Sequence, residues 1–358
     1  MKQALRAWYG KIDDYLIGSG FQKSLSEATI YVKKINNDVL IISLYVDDLL
    51  VTGSNIQQVG EFKQKMMQVF EMTDIGLMRF FLEMGIMQSK EEIFICQKKY
   101  AKEILKKFHI EYCKPTTTPM NQKDKFNKED GTTRVDEEKF RSLIGCLLYL
   151  TATIPDILNA TSLLSLFMHC PHEIHIRAAK RILRYIKGTY SFGVKFLKYQ
   201  ELRLHGFSYS DCGGFIDDMK STSGFCFNLG SIIFSWSSNK QDIVAQFTAE
   251  AEFIAATTTV NQALWLQKIL CDSHMEEKEA TKISIDNQAT IEISHNPVFY
   301  GKTKHFNIKL YFLREVQRNG DVKLIYCNSE DQFADLFTKA LPVSIFEFLK
   351  QMIGVCSS

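Results

Sequence analysis

Two adjacent carboxylates stand inside an otherwise apolar, β-prone run. Val39–Gly53 reads VLIISLYVDDLLVTG, with Asp47 and Asp48 between two stretches rich in Leu, Ile and Val. The flanking runs predict strands, and the acidic pair predicts the turn that joins them. Neighbouring carboxylates repel each other, and burying either one unpaired is costly. The pair therefore belongs either at a solvated hairpin tip or around a divalent cation such as Mg²⁺, for which carboxylates are preferred ligands.

Downstream, the spacing predicts a helix over Ile56–Met72, strands within Phe80–Ile95, and an amphipathic helix over Lys98–Phe108 with Tyr100, Ile104 and Phe108 on its apolar side. The polar run from Cys113 to Glu138 holds Pro115 and Pro119, lacks periodicity, and reads as a linker. Helices follow over Phe140–Thr151, over Asp156–Met168 with Asp156 as its cap, and over Glu173–Lys187, stopped by Gly188. From Leu202 come three short strands, then a long helix over Ala249–Leu270. A strand (Ile283–Ile285), a helical stretch (Thr303–Gln317), a strand (Val322–Tyr326) and a helix (Gln332–Lys339) close a mixed α/β sheet domain.

Composition narrows the class. At 358 residues, two or three domains are expected. Lys+Arg 43 against Asp+Glu 41 leaves a net charge of +2, which excludes a uniformly basic nucleic-acid coat. Apolar content of 46% excludes a wholly disordered chain. No apolar run approaches the roughly 18 residues of a membrane span, and charges interrupt every apolar patch that would serve as a signal peptide. Nine cysteines with no Cys-x-x-Cys spacing argue against a disulfide framework and for a reducing compartment: the cytoplasm, with the nucleus as the alternative. His205, His274, His295 and His305 have no metal-ligand spacing with cysteines and read as structural or surface residues.

LYVDDLLVTG resembles the catalytic motif of reverse transcriptases of the Ty1/copia class of retrotransposons. KQALRAWY (Lys2–Tyr9), MTDIGLMRFFLEMGI (Met72–Ile86), QKKYAKEILKKF (Gln97–Phe108), TTTPM (Thr116–Met120), RSLIGCLLYLT (Arg141–Thr151) and RAAKRILRYIKGT (Arg177–Thr189) are similar to further family segments, in family order. The resemblance covers essentially the whole chain. It implies an α+β protein with a partial reverse transcriptase (palm end and thumb) over 1–112, a linker over 113–139, a helical connection over 140–200, a ribonuclease H-like five-stranded mixed sheet over 201–345 and a tail over 346–358. It also implies that the family's upstream palm Asp and fingers precede Met1, so no polymerase activity is expected of this chain alone.

In the ribonuclease H-like part, the resemblance assigns Glu252, Asp286 and Asp335 to a site that holds Mg²⁺, or Mn²⁺, across a scissile phosphate, as it assigns Asp47 and Asp48 to the palm. The family's first strand carries a pattern like Gly-Tyr-Ser-Asp-x-Asp-Trp-x-Gly, where this chain has GFSYSDCGG (Gly206–Gly214). Without gaps, Tyr209 takes the place of the metal-binding Asp. Shifted by two, Asp211 becomes the ligand at the cost of a deletion. Phe247, Ile154 and Tyr300 also depart from the family pattern, as in a decayed element copy. Arg177, Lys180, Arg181, Arg184 and Lys187 share one helical face, which reads either as a solvated surface or as a phosphate-tracking stripe along a template–primer duplex or RNA–DNA hybrid. Two functions follow: a reverse transcriptase/ribonuclease H enzyme fragment, or a non-catalytic nucleic-acid-binding remnant or complementing piece of a split Pol.

Overall fold

A computed structural model describes residues 2–129, 131–198, 202–230, 232–295 and 304–358, with side chains from residue 6 and, in the last segment, from residue 308. Tyr300 and the His305 side chain lie outside the described residues. The chain divides into two units: Met1–Leu77 with Asn261–Glu279, and Met78–Val260 with Ala280–Ser358.

The first unit opens with α1 (Lys2–Gly18), whose Ile12 and Leu16, one turn apart, are fully buried. An antiparallel sheet follows: β1 (Gln22–Lys23), β2 (Ile30–Ile35), β3 (Asp38–Tyr45) and β4 (Asp48–Gly53), in sequential order. In β3, Leu40, Ile42 and Leu44 alternate into the core, the period-2 signal that made this hairpin legible. Helix α2 (Ile56–Val69) starts at Asn55, whose side chain accepts from the backbone N–H groups of Gln57 and Gln58, and buries Phe62 and Met66.

The second unit begins with β5 (Phe80–Phe81), β6 (Met84–Gln88), β7 (Glu92–Cys96) and α3 (Lys98–Lys107). The polar run after it is irregular but anchored, as described below. Helix α4 (Glu137–Leu150) is capped by Asp136. A 3₁₀ turn (Pro155–Ile157) leads into α5 (Leu158–Ser165). Asp156 caps nothing: its carboxylate instead accepts from the Tyr185 hydroxyl in the interior. Helix α6 (Glu173–Thr189) runs through Gly188, which does not stop it. A Cβ on Gly188 would lie 3.3 Å from Pro115 Cβ, so the glycine lets the polar run pass close.

Strand β8 (Phe192–Leu197) precedes β9 (Leu204–Ser210), β10 (Thr222–Leu229), β11 (Ile233–Lys240), the long α7 (Thr248–Asp272) and β12 (Thr281–Ile285). Helices α8 (Gln288–His295) and α9 (Lys304–Asn319), β13 (Val322–Tyr326), a 3₁₀ turn (Phe333–Phe337), α10 (Val343–Met352) and β14 (Val355–Ser357) complete the unit. The expected last helix over Gln332–Lys339 is that 3₁₀ turn. Residues 346–358 are no loose tail: β14 pairs antiparallel with β8 at the edge of a five-stranded sheet ordered β14-β8-β7-β6-β5.

The second five-stranded sheet has the order β11-β10-β9-β12-β13. The first three strands are antiparallel, and β9, β12 and β13 are parallel. One core runs from Ala101 through α4 and α6 to Phe207, Cys226, Phe337 and Val355. The stretches expected as connection and ribonuclease H-like domain therefore share their interior, and Ile154, 1% exposed, belongs to it.

Candidate ribonuclease H-like site and palm hairpin

Asp47 and Asp48 lie at a two-residue turn closed by the Tyr45–Asp48 pair, both exposed. Val46 holds the left-handed conformation at φ 55°, a costly place for a β-branched residue. The Trp8 indole N–H donates to the Val46 carbonyl at 3.0 Å, and its ring packs edge-on against Phe70, 5.6 Å away. Both carboxylates stand at the hairpin tip, and among the described residues no third His, Cys, Asp or Glu is grouped with them for a metal ion.

The second cluster is built on the central strands of the mixed sheet. Parallel pairing sets Phe207 opposite Ser284, and two residues further each chain reaches Tyr209 and Asp286. Helix α7 brings in Glu252, 2% exposed, whose Oε1 accepts from the Ser210 backbone N–H at 3.1 Å. The 3₁₀ turn brings in Asp335, 6% exposed. That turn packs hard on β10 at Gly224, where a Cβ would meet Thr338 Cγ2 at 2.6 Å. Asp286 Oδ2 accepts from the Ser329 hydroxyl at 3.2 Å.

Electrostatics tie these groups together. Burial pushes the Glu252 carboxyl well above the usual range; the Ser210 N–H opposes this, while the fields of Asp286 and Asp335 add to it. Burial also raises Asp335, against the pull of Lys339. The Tyr209 phenol is raised by burial, partly offset by Lys339 and reinforced by Asp335 and Glu252. A phenol with an ordinary pKa near 10 supplies no negative charge at neutral pH.

Lys339 is the residue that sequence reasoning missed. Its ammonium pairs with Asp335 Oδ2 at 2.8 Å, donates to the Tyr209 hydroxyl at 3.1 Å and lies 4.2 Å from the centre of the Tyr209 ring. Burial pulls its pKa down, but Asp335 and Tyr209 outweigh that and leave it raised. Its i,i+4 spacing from Asp335 was the available signal.

Asp211 bonds to the first residue of β10. It accepts the Thr222 backbone N–H through Oδ1, braces the loop after β9, and is pushed up to about 6 by burial. The groups as arranged do not suit a pair of divalent cations: a neutral phenol, Tyr209, lies in the field of Asp335 and Glu252, and an ammonium occupies one oxygen of Asp335. Two oxygens, Glu252 Oε2 and Asp335 Oδ1, are buried without a partner.

The basic face of α6 splits in two. Arg177 and Lys180 are exposed, and Lys187 is half-buried. Arg184 Nε donates to the Lys114 carbonyl at 2.8 Å and Arg181 Nη2 to the Thr118 hydroxyl at 3.0 Å, so two of the five cations, both half-buried, pin the polar run. His205 is structural: its Nε2 meets the Ser284 hydroxyl at 2.9 Å, and its ring stacks on Phe207.

Residues 1–122 match the family described as reverse transcriptase (RNA-dependent DNA polymerase). The chain is 33% identical to the retrovirus-related Pol polyprotein from transposon RE1 of Arabidopsis thaliana, over 99% of this chain and 24% of that one. It is 32% identical to the Pol polyprotein from transposon TNT 1-94 of Nicotiana tabacum, over 100% of this chain and 28% of that one. A transposon Ty5-1 protein of Saccharomyces cerevisiae is 31% identical over 73% of this chain and 85% of its own length. Likeness to solved structures is slight: a foamy viral protease-reverse transcriptase gives a TM-score of 0.45 at 12% identity, covering 84% of this chain and 37% of that one.

The chain belongs to the reverse transcriptase family of copia-type retrotransposon Pol polyproteins. It spans about a quarter of the length of the plant polyproteins it matches. It carries reverse transcriptase sequence over residues 1–122 and, behind it, the mixed five-stranded sheet ordered β11-β10-β9-β12-β13. Reverse transcriptases and ribonucleases H generally work with divalent metal ions.

Proposed function

We propose that this chain is a reverse transcriptase/ribonuclease H piece that holds nucleic-acid duplex without cutting it. The observation that carries the reading is Tyr209 at the strand position beside Asp286, hydrogen-bonded to Lys339 where a ribonuclease H needs a carboxylate. Glu252, Asp286 and Asp335 remain as the residue of a catalytic site, with Asp47 and Asp48 as that of the palm. Neither set suits Mg²⁺ or Mn²⁺ as it stands.

Family membership supports a template–primer duplex or RNA–DNA hybrid as partner, and the foamy viral neighbour is a complex with RNA/DNA hybrid. Backbone and shape would dominate recognition, since such a protein must ignore sequence. All nine cysteines are free, which supports a reducing cytoplasmic or nuclear setting.

The test is hydrolysis of a labelled RNA–DNA hybrid in Mg²⁺. The native chain should cut at background while still binding the hybrid, and Tyr209→Asp should introduce metal-dependent cutting that Glu252→Gln removes. Native cutting abolished by Asp211→Asn would instead establish the shifted alignment and an intact site.

A further inference from the structure

The backbone fixes Lys339 beside the carboxylate that it neutralises. The 3₁₀ turn over Phe333–Phe337 ends two residues before it, and the Thr338 and Lys339 backbone N–H groups both donate to the Asp335 carbonyl, at 3.2 and 3.3 Å. The turn sits tight on β10. A Cβ on Gly224 would meet Thr338 Cγ2 at 2.6 Å, Phe337 Cβ at 2.9 Å and the Ala334 carbonyl oxygen at 3.1 Å. Two anchors then set the side chain: the ammonium pairs with Asp335 Oδ2 at 2.8 Å and donates to the Tyr209 hydroxyl at 3.1 Å, over the Tyr209 ring.

That position makes Lys339 more than one half of an ion pair. The Asp335 side chain is 8% exposed, and an ionised carboxylate so placed needs a cation. Glu252 is buried deeper still, and the field of Asp286 reaches both. Burial raises the Glu252 and Asp211 carboxyls, and the field of Lys339 is among the influences that oppose it. Burial pulls the Lys339 pKa down, but Asp335 and Tyr209 leave it raised, so the ammonium keeps its charge at neutral pH. One ammonium thus acts on carboxyls carried by the turn, by α7 and by the loop after β9. In a carboxylate cluster, that is the part a bound metal ion plays as the largest local charge.

The two kinds of cation exclude each other here. Mg²⁺ takes carboxylate oxygens at about 2.0–2.1 Å, so an ion on Asp335 Oδ2 would stand no more than about 5 Å from the ammonium, where like charges repel. With the ammonium in place, no three His, Cys, Asp or Glu are grouped for a metal ion among the described residues.

We propose that the Lys339 ammonium is the resident cation of this carboxylate cluster: it holds the place of a divalent ion, and its removal turns Glu252, Asp286 and Asp335 into a site that takes up Mn²⁺. The inference rests on the reading of the chain as one that does not cut, and adds what fills the site in place of metal.

The experiment uses the full chain without nucleic acid and follows Mn²⁺ binding by the loss of the free-ion EPR signal. The native chain should show only the weak binding that exposed carboxylates such as Asp47 and Asp48 give. Lys339→Met keeps the apolar stem and removes the charge, and it should bind a further Mn²⁺ about tenfold or more tightly than the native chain binds any. Glu252→Gln in that background should remove the added site, which places it at the cluster. Lys339→Arg keeps the charge and should behave as native. The Lys339 side chain is 38% exposed, so Lys339→Gln serves in the same way if the Met variant folds poorly. Thermal unfolding gives a second readout: millimolar Mn²⁺ should raise the midpoint of Lys339→Met and leave the native midpoint where it is. A native chain that binds Mn²⁺ as tightly as Lys339→Met, a neutral variant with no added site, or a Lys339→Arg chain that gains one overturns the proposal. Failure here is distinct from failure of the non-cutting reading: hydrolysis of hybrid by the native chain refutes that reading, whereas neutral variants that gain no Mn²⁺ site refute the role of Lys339 alone.

Discussion

The Asp156 carboxyl is 2% exposed, accepts from the Tyr185 hydroxyl and lies in the field of Lys350, yet its Oδ1 has no partner. Burial pushes its pKa up to about 6, against the opposing pull of Tyr185 and Lys350. A carboxyl raised in the folded state binds its proton more tightly there than in the unfolded chain. Its contribution is therefore fully present below the unfolded value of 3.8 and lost as pH rises through about 6. About two pKa units correspond to about 3 kcal/mol. Urea unfolding at pH 4 and pH 7 should show Asp156→Asn gaining on the parent by that order as pH rises, and a constant difference between the two proteins would refute the assignment. The sequence made Asp156 look like a helix cap because Pro-Asp before an apolar run is a common start signal. Only the fold shows that α6 places Tyr185 against it. At Tyr209 the sequence offers two registers, the gapless one and one shifted by two onto Asp211, and the hydrolysis of an RNA–DNA hybrid by the Tyr209 and Asp211 variants separates them.

At the scale of elements, the β5–β6 hairpin turns through Leu82 and Glu83, with φ of 48° and 59°. Two consecutive side chains in the left-handed region cost about 1–2 kcal/mol each, and Asn-Gly is the pair that such a turn favours. The Tyr149 hydroxyl holds the Leu82 carbonyl at 2.5 Å, which pins the turn from α4. Replacing Leu82-Glu83 by Asn-Gly should raise stability by about 2 kcal/mol in chemical denaturation, since that bond uses only backbone at residue 82; an unchanged midpoint would mean the strain is not stored there. Helix α6 makes a second prediction. Arg177 and Lys180 are free to meet phosphates, so each changed to Gln should reduce the log–log salt slope of hybrid binding by about one. Arg181→Gln and Arg184→Gln should act mainly on stability, by releasing residues 114–118 from the helix. A uniform loss of slope across all four would restore the single phosphate-tracking face that the 100° spacing suggested. That spacing showed which residues share a face, but not that the polar run, which lacks any period of its own, would lie across it.

The whole molecule shows where sequence reading stops. Motif order identified the reverse transcriptase stretch and the mixed sheet, because each motif is local. The continuous core was not legible, because it joins Leu105 to Leu349 and Cys226 to Val194 across long separations. Residues 346–358 illustrate this. The sequence places them after the last expected helix, as a tail. In the fold Phe346, Leu349, Ile353 and Val355 are 4%, 1%, 0% and 1% exposed, and β14 completes a sheet edge beside β8. Even Lys350 is 4% exposed, its ammonium paired with Glu347 and within 5.2–5.9 Å of the Phe192, Phe346 and Tyr185 ring centres. Losing one such apolar side chain costs about 2–4 kcal/mol, so losing four approaches or exceeds the about 5–15 kcal/mol by which whole domains are stable. Deleting residues 346–358 should therefore abolish the cooperative unfolding of the unit that contains the ribonuclease H-like sheet, followed by Trp236 fluorescence in a protein with Trp8 and Trp265 changed to Phe. A truncated chain that kept the parent's midpoint and slope would show that the C-terminal segment rests on a core already complete without it.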